Sequence, residues 1–172
     1  GRLWLEMYPD SARVRAKCDY LVPEPLPSAD EDEPAEAAEN KFTPDPDSPI
    51  NNPQAPARRQ PKPVTQIRLI DPACGAMHFG YYAFEVFQEM YQEARERGWP
   101  IWSVDYSKNQ SILPPPTDAE IPALILAHNL YGVDIDLRAV QLAALALYMK
   151  ARVAERDADP QHQSQYRVNL VC

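Results

Sequence analysis

Residues 67–80 read IRLIDPACGAMHFG, and the order of residue types in this stretch decides the fold. Ile67 to Ile70 mix β-branched and apolar side chains, which predicts a short buried strand. Asp71 closes it. Pro72, Ala73, Cys74, Gly75 and Ala76 then make a turn of small residues, and a helical pattern starts at His78 or Phe79. Strand, tight turn and helix open a βαβ unit, and turns of this kind are where α/β proteins bind nucleotides. Small residues let a ligand approach the backbone, and the following helix offers unpaired N–H groups. A carboxylate at the strand end is placed to hold a cationic amine. A plain strand-to-helix turn without ligand uses the same residues, so this motif alone leaves both readings open.

The choice of nucleotide narrows by elimination. A dinucleotide fingerprint wants GxGxxG, but the run from Gly75 is GAMHFG, with Met77 in the place of the second glycine. A P-loop wants GxxxxGK[ST]. The spacing Gly75 to Gly80 fits it, yet Tyr81 and Tyr82 stand where lysine and Ser/Thr belong, so no charge is there to hold terminal phosphates. The turn is better matched to a cofactor joining an amino acid to a nucleoside, such as S-adenosylmethionine.

The second informative stretch is NLYGVDIDLRAVQLAALALYMKARVAE, residues 129–155. Leu130 to Val133 predict another buried strand, ended by Asp134. Asp136 is placed to N-cap a long apolar helix running to about Glu155. An acidic residue closing the second strand of a βαβ unit can accept hydrogen bonds from both ribose hydroxyls, and Ile135 can lie against an adenine face. Simple helix capping also accounts for Asp136. For Asp134 the convergence of two strand-end carboxylates on one crevice favours the ligand.

DPACGAMHFG followed by NLYGVDIDLRAVQLAALALYMKA resembles the first two motifs of bacterial N6-adenine DNA methyltransferases. The nearest likeness is to large single-chain enzymes of restriction-modification type and to the PglX-like enzymes of the BREX phage-defence system. GRLWLEMYPDS at the start and CDYLVPE at 18–24 also look like the segment that precedes this family's cofactor motif. The likeness covers residues 1–22 and 66–172. The general pattern has a second glycine where Met77 stands, although methionine there resembles one BREX branch. The resemblance implies that Asp71 binds the amino group of the cofactor's methionine part, and that Pro72, Ala73, Cys74, Gly75 and Ala76 line that part. It further implies that Asp134 holds the ribose and that Ile135 packs on the adenine. His78 reads as a local hydrogen-bonding group and not as a base.

The family's catalytic Asn-Pro-Pro-aromatic string, which receives a flipped-out adenine, is absent. Asn52-Pro53-Gln54 lacks the second proline and the aromatic, and it precedes the cofactor motif. Lys41-Phe42-Thr43-Pro44 imitates the family's Phe-Thr-Pro string but leads into Asp45-Pro46-Asp47. No catalytic residue is therefore assigned. The start at Gly1 and the end inside an apparent strand (Tyr166 to Cys172) are expected of a piece of a larger enzyme, inactive in methyl transfer by itself.

Composition divides the chain. Residues 23–63 hold eleven of the nineteen prolines and the acidic run Asp30 to Glu33, too few apolar groups to offset ordering entropy. The expected organisation is an N-terminal helical segment (1–22), a Pro/acidic-rich disordered linker (23–65) and a cofactor-binding half-domain (66–172). Cys18, Cys74 and Cys172 are far apart, and His78, His128 and His162 are scattered, so neither a disulfide framework nor a metal site is expected. That usage fits a reducing cytoplasm. No signal peptide or membrane span is visible; residues 139–149 read as a buried core helix. Net charge −8 disfavours strong nucleic-acid binding by these residues, since Arg58-Arg59 with Lys62 and Arg95 with Arg97 look like solvated surface. DNA contacts, and any defence-system protein partners, are expected through a downstream region.

The remaining elements follow from periodicity. Helices are expected at Arg2–Met7, Phe79–Arg97, Asp118–His128 and Leu137–Glu155, and Ala12 to Tyr20 as a short helical or irregular piece. Strands are expected at Gln66–Ile70, Leu130–Asp134 and near Arg167–Cys172. In the Phe79 helix, Phe79, Ala83, Val86 or Phe87, Met90 and Tyr91 recur at core spacing, and Gly98-Trp99-Pro100 ends it. Three parallel strands with alternating helices make a partial doubly wound, Rossmann-like α/β sheet, the class I methyltransferase fold by resemblance. Two readings from other classes remain. One is a dehydrogenase-like enzyme, disfavoured because Asp134 lies 63 positions after Asp71 and not about 20 after the glycines. The other is a non-catalytic module that keeps the fold for partner contact.

Overall fold

The computed structural model of the chain describes residues 1–18, 60–102 and 113–172. Most of the Pro-rich segment, with Arg58-Arg59, Asn52-Pro53-Gln54 and Lys41 to Pro44, lies outside the described residues. Two short helices come first, α1 (Arg2–Met7) and α2 (Ala12–Lys17). Then follow β1 (Leu69–Asp71), α3 (His78–Arg97), α4 (Ile121–His128), β2 (Leu130–Val133), α5 (Leu137–Ala158) and β3 (Asn169–Val171). The strands form a parallel sheet in the order β1-β2-β3, with Leu69 opposite Leu130 and Gly132 opposite Leu170. Parallel neighbours need crossovers, and helices supply them here, so the fold is α/β.

β1 starts later than its apolar pattern predicts, and Asn129 is the reason. Its buried amide donates to the carbonyls of Val64 (2.8 Å) and Ile67 (2.7 Å). Val64–Gln66 therefore close into a 3₁₀ turn, and the ladder opens only where Leu69 N–H reaches the Asn129 carbonyl at 2.7 Å. Val64, inside the segment that composition assigns to the linker, is fully buried. The strand is also not buried on both faces. Leu69 packs on the core, while Ile70 points away and is 67% exposed. Successive strand residues face opposite sides, and the helices cover only one side among the described residues.

α3 is the spine of the core. Ala83, Val86, Phe87, Met90 and Tyr91 are buried as their spacing predicts, but Phe79 is 78% exposed. It sits in the first turn, before the helix has reached the packed layer. Gly98 ends α3 in the left-handed conformation, its N–H on the Ala94 carbonyl. Arg95 and Arg97 are paired, not freely solvated. Arg95 bonds Asp118 at 2.7 Å; Arg97 bonds Glu93 at 3.3 Å and lies 5.1 Å from the centre of the Trp99 ring. α4 begins at Ile121 and not at Asp118, because the Thr117 N–H and hydroxyl both donate to Glu120 and fix a turn there.

The N-terminal pair docks on α3. Tyr8 stacks on Trp99 at 4.4 Å, with Trp4 edge-on to the same ring. Trp4 Nε1–H donates to Ser11 Oγ at 2.8 Å, and Ser11 donates to buried Glu93. Glu93 also accepts the Ala12 N–H at 2.9 Å, so a carboxylate from α3 meets the positive end of α2.

α5 runs three residues beyond Glu155 and buries one stripe, Val140, Ala143, Leu147, Ala151 and Glu155. Leu142, Leu145, Met149 and Val153 form a second stripe, each more than half exposed. Residues 139–149 are thus not buried all round: among the described residues α5 packs on α3, α4 and β3 from one side only. Glu155 accepts the Ser164 N–H and Tyr166 hydroxyl, both at 2.6 Å, and directs the chain back to β3. β3 is confined to three residues; Asn169 at its start turns its amide to the Leu126 and Ala127 carbonyls at the end of α4. No helix among the described residues is long and apolar enough to cross a membrane.

Candidate cofactor site

The turn after β1 is fastened to the end of β2. Asp71 Oδ1 accepts the Ala73 N–H at 3.2 Å, an Asx turn that bends the chain out of the strand. Cys74 N–H then donates to the Val133 carbonyl at 3.0 Å, and Gly75 N–H to Asp134 Oδ2 at 2.8 Å. The other Asp134 oxygen accepts the Asp136 N–H at 2.9 Å. One carboxylate therefore holds two loops. These N–H groups, Asp136 first and Gly75 next, keep Asp134 below the usual carboxylate range, so it stays ionised. Asp136 caps α5 by accepting the Arg138 N–H at 2.9 Å, the capping role its position predicts.

Close approach of turn and strand needs Gly132. A Cβ there would stand 2.7 Å from Leu170 Cδ2 and 3.0 Å from both Cβ and Sγ of Cys74. Glycine inside a strand marks such approaches, and this signal was present in the sequence. Cys74 is buried against that gap. Burial, then the charges of Asp134 and Asp71, push its thiol up, so it is a packing group and not a nucleophile. Gly75 (φ 50°) and Met77 (φ 63°) are both left-handed. For glycine this is ordinary; nothing in the sequence announces it for a methionine.

Each sequence-predicted site residue has a definite place. Asp71 and Asp134 lie at the carboxyl ends of adjacent parallel strands, where open α/β sheets bind ligands. Both lie close enough to Cys74 to act on its thiol. Pro72 and Ala73 are exposed on the outer side of the turn; Gly75 and Ala76 are half-buried. Ile135 is fully exposed, an apolar plate beside Asp134. His78 is exposed at the first position of α3. A carboxylate offers about four lone-pair positions, so the two N–H groups on Asp134 leave capacity for further donors.

A separate groove of about 850 Å³ lies between α3 and α5, lined in part by Tyr81, Glu85, Met149 and Val153, away from the turn. Glu85 bridges Lys17 and Lys150 there, both at 2.5 Å, and Lys150 lies over the Tyr81 ring. The candidate site is instead at the strand ends, where Asp71 and Asp134 flank the exposed backbone of the turn.

The class that the fold defines is α/β: a three-stranded parallel sheet with helices, whose first two strands end in carboxylates around a small-residue turn. The chain is similar to adenine-specific methyltransferase BrxX of Escherichia coli O9:H4 (strain HS), with 33% identity over 156 residues. It is also similar to adenine-specific methyltransferase PglX of Lacticaseibacillus casei (strain Zhang), with 36% identity over 95 residues. The first match covers 91% of this chain and the second 55%, but the chain spans only 10% and 6% of those relatives' lengths. No family model matches it. The resemblance to adenine-specific methyltransferases read from the two motifs is borne out: almost the whole chain is similar to a segment of such an enzyme.

Proposed function

We propose that this chain is the S-adenosylmethionine-binding part of an enzyme that methylates the N6 of adenine in DNA, in restriction-modification or phage defence. The observation that carries this reading is Asp134, ionised, half-buried and tied to the Gly75 N–H. Asp71 has one oxygen without a protein partner among the described residues, and it would hold the ammonium of the cofactor's methionine part. The backbone of Pro72 to Ala76 would line that part, Asp134 would take the ribose hydroxyls, and Ile135 would lie on the adenine. The bound cofactor supplies an activated methyl group; these residues bind and orient it.

The sheet is proposed as the first half of a doubly wound, Rossmann-like fold. By itself the chain transfers no methyl group in this reading, because it contains no Asn-Pro-Pro-aromatic string. DNA and any defence-system protein would be engaged by the parts of the enzyme that this chain does not span. Its three cysteines are free thiols, in keeping with a cytoplasmic protein.

The test is calorimetric titration with S-adenosylhomocysteine and, in competition, with NAD. Binding of the first, weakened about tenfold or more by Asp71→Asn as expected for loss of a charge-assisted hydrogen bond, supports the assignment. Displacement by NAD at similar concentrations would favour the dehydrogenase-like reading instead.

A further inference from the structure

Met77 stands where the methyltransferase pattern has its second glycine, and the backbone there keeps a glycine conformation, φ 63° and ψ 37°. Among the described residues it is the one non-glycine with positive φ. A Cβ makes this region unfavourable, so something must hold Met77 in it. Its N–H donates to the Cys74 carbonyl at 2.7 Å, and its carbonyl accepts the Tyr81 N–H at 2.8 Å. It joins the cofactor turn to the first turn of α3.

The side chain supplies the hold. Met77 is fully buried. A Cβ on Gly80 would stand 2.5 Å from Met77 Cγ, 2.6 Å from Cε and 3.0 Å from Sδ. Three successive atoms of the thioether thus fill the volume that a side chain at position 80 would take. Because Cγ is among them, turning the methyl end aside would not make room. Gly80 is itself buried in a helix where its φ is ordinary, so helix geometry gives no reason for glycine there.

We infer that Met77 and Gly80 are a matched pair of positioning residues. The missing side chain at 80 is the slot into which Met77 locks, and the lock holds the turn in the conformation that a glycine at 77 would adopt unaided. The inference rests on the proposed cofactor site for what the turn is held for. The pairing itself is a matter of packing.

Four versions of the 172-residue chain test it: unmodified, Gly80→Ala, Met77→Gly, and both changes together. Thermal midpoint and affinity for S-adenosylhomocysteine are the two readouts. Gly80→Ala should lower the midpoint and weaken binding about tenfold, because its methyl displaces Met77. Met77→Gly should lower the midpoint through lost packing but keep binding within about threefold, since glycine takes positive φ freely. In the double variant the alanine should do no further harm to either readout. If Gly80→Ala does not fold, Met77→Gly against the double variant still decides the matter. Equal damage from Gly80→Ala with and without the Met77 side chain, or no damage at all, overturns the pairing. Absence of binding by the unmodified chain would sink the cofactor reading, while the midpoints would still decide the pairing.

Discussion

Asp134 accepts the Gly75 N–H at 2.8 Å across 59 residues of sequence, and this bond closes the turn after β1 onto the end of β2. The same carboxylate accepts the Asp136 N–H, so one ionised side chain sets the relative position of two loops.

Stability should therefore depend on the charge of Asp134. Its pKa in the fold is depressed by the Asp136 and Gly75 N–H groups. A depressed carboxylate contributes fully above its unfolded value, near 3.9 for aspartate, and the contribution fades as pH falls through the folded value. Urea denaturation should show Asp134→Asn less stable than the unmodified chain at pH 7, with the gap narrowing below about pH 4. A gap independent of pH would show that shape and not charge holds the turn.

Asn129 should be among the most costly single positions. It is fully buried, donates to Val64 and Ile67, and accepts the Tyr91 hydroxyl at 3.0 Å. Burial pushes the Tyr91 hydroxyl well up, so it stays a donor and needs that acceptor. Asn129→Ala strands the Ile67 carbonyl and the Tyr91 hydroxyl, while the Val64 carbonyl keeps the Ile67 N–H at 3.1 Å. It should cost about 2 kcal/mol or more, at roughly 1–3 kcal/mol for each group left unpaired. Denaturant midpoints measure this; a loss below about 1 kcal/mol would mean that water enters and satisfies them.

Much of the architecture was legible because it rests on local signals. The strand-turn-helix at 69–78, Asp134 at the end of β2, the Asp136 cap and the Gly98 stop are each written in a few adjacent residues. Signals failed where a distant partner decided. Ile70 and the Leu142 stripe look like core by composition, yet which faces the helices cover is a property of the assembled layers. Asn129 delays β1 from 62 residues away, and Glu93 caps α2 from 81 residues away. Met77 reads as a departure from the glycine pattern, and only its backbone reveals that it keeps the left-handed conformation.

The N-terminal pair should detach if its polar link is cut. Ser11 is completely buried, accepting from Trp4 and donating to Glu93. Ser11→Ala leaves the indole N–H without its acceptor and removes one donor from Glu93, a penalty of about 1–3 kcal/mol. Because Glu93 also holds the Ala12 N–H, Glu93→Gln should loosen the same segment. Limited proteolysis should release a fragment ending within residues 1–18 faster from both variants, with the turn at 72–76 protected as before. Unchanged cleavage would mean that the Trp4, Tyr8 and Trp99 rings hold the segment alone.

The two stripes of α5 should respond oppositely to substitution. Leu147 is fully buried, so Leu147→Ala opens a cavity and should cost about 2–5 kcal/mol. Leu142 and Leu145 are 58% and 57% exposed, so Leu142→Lys with Leu145→Gln should change stability by only about 0.5 kcal/mol or less per site. Helix propensity favours the outcome, since lysine and glutamine are nearly as good helix formers as leucine. The same double change removes two adjacent members of an exposed apolar stripe, so it should also raise solubility and reduce dye binding to apolar surface. A loss of several kcal/mol from the lysine variant would place Leu142 in a packed interior in solution and would make α5 a core helix on both faces.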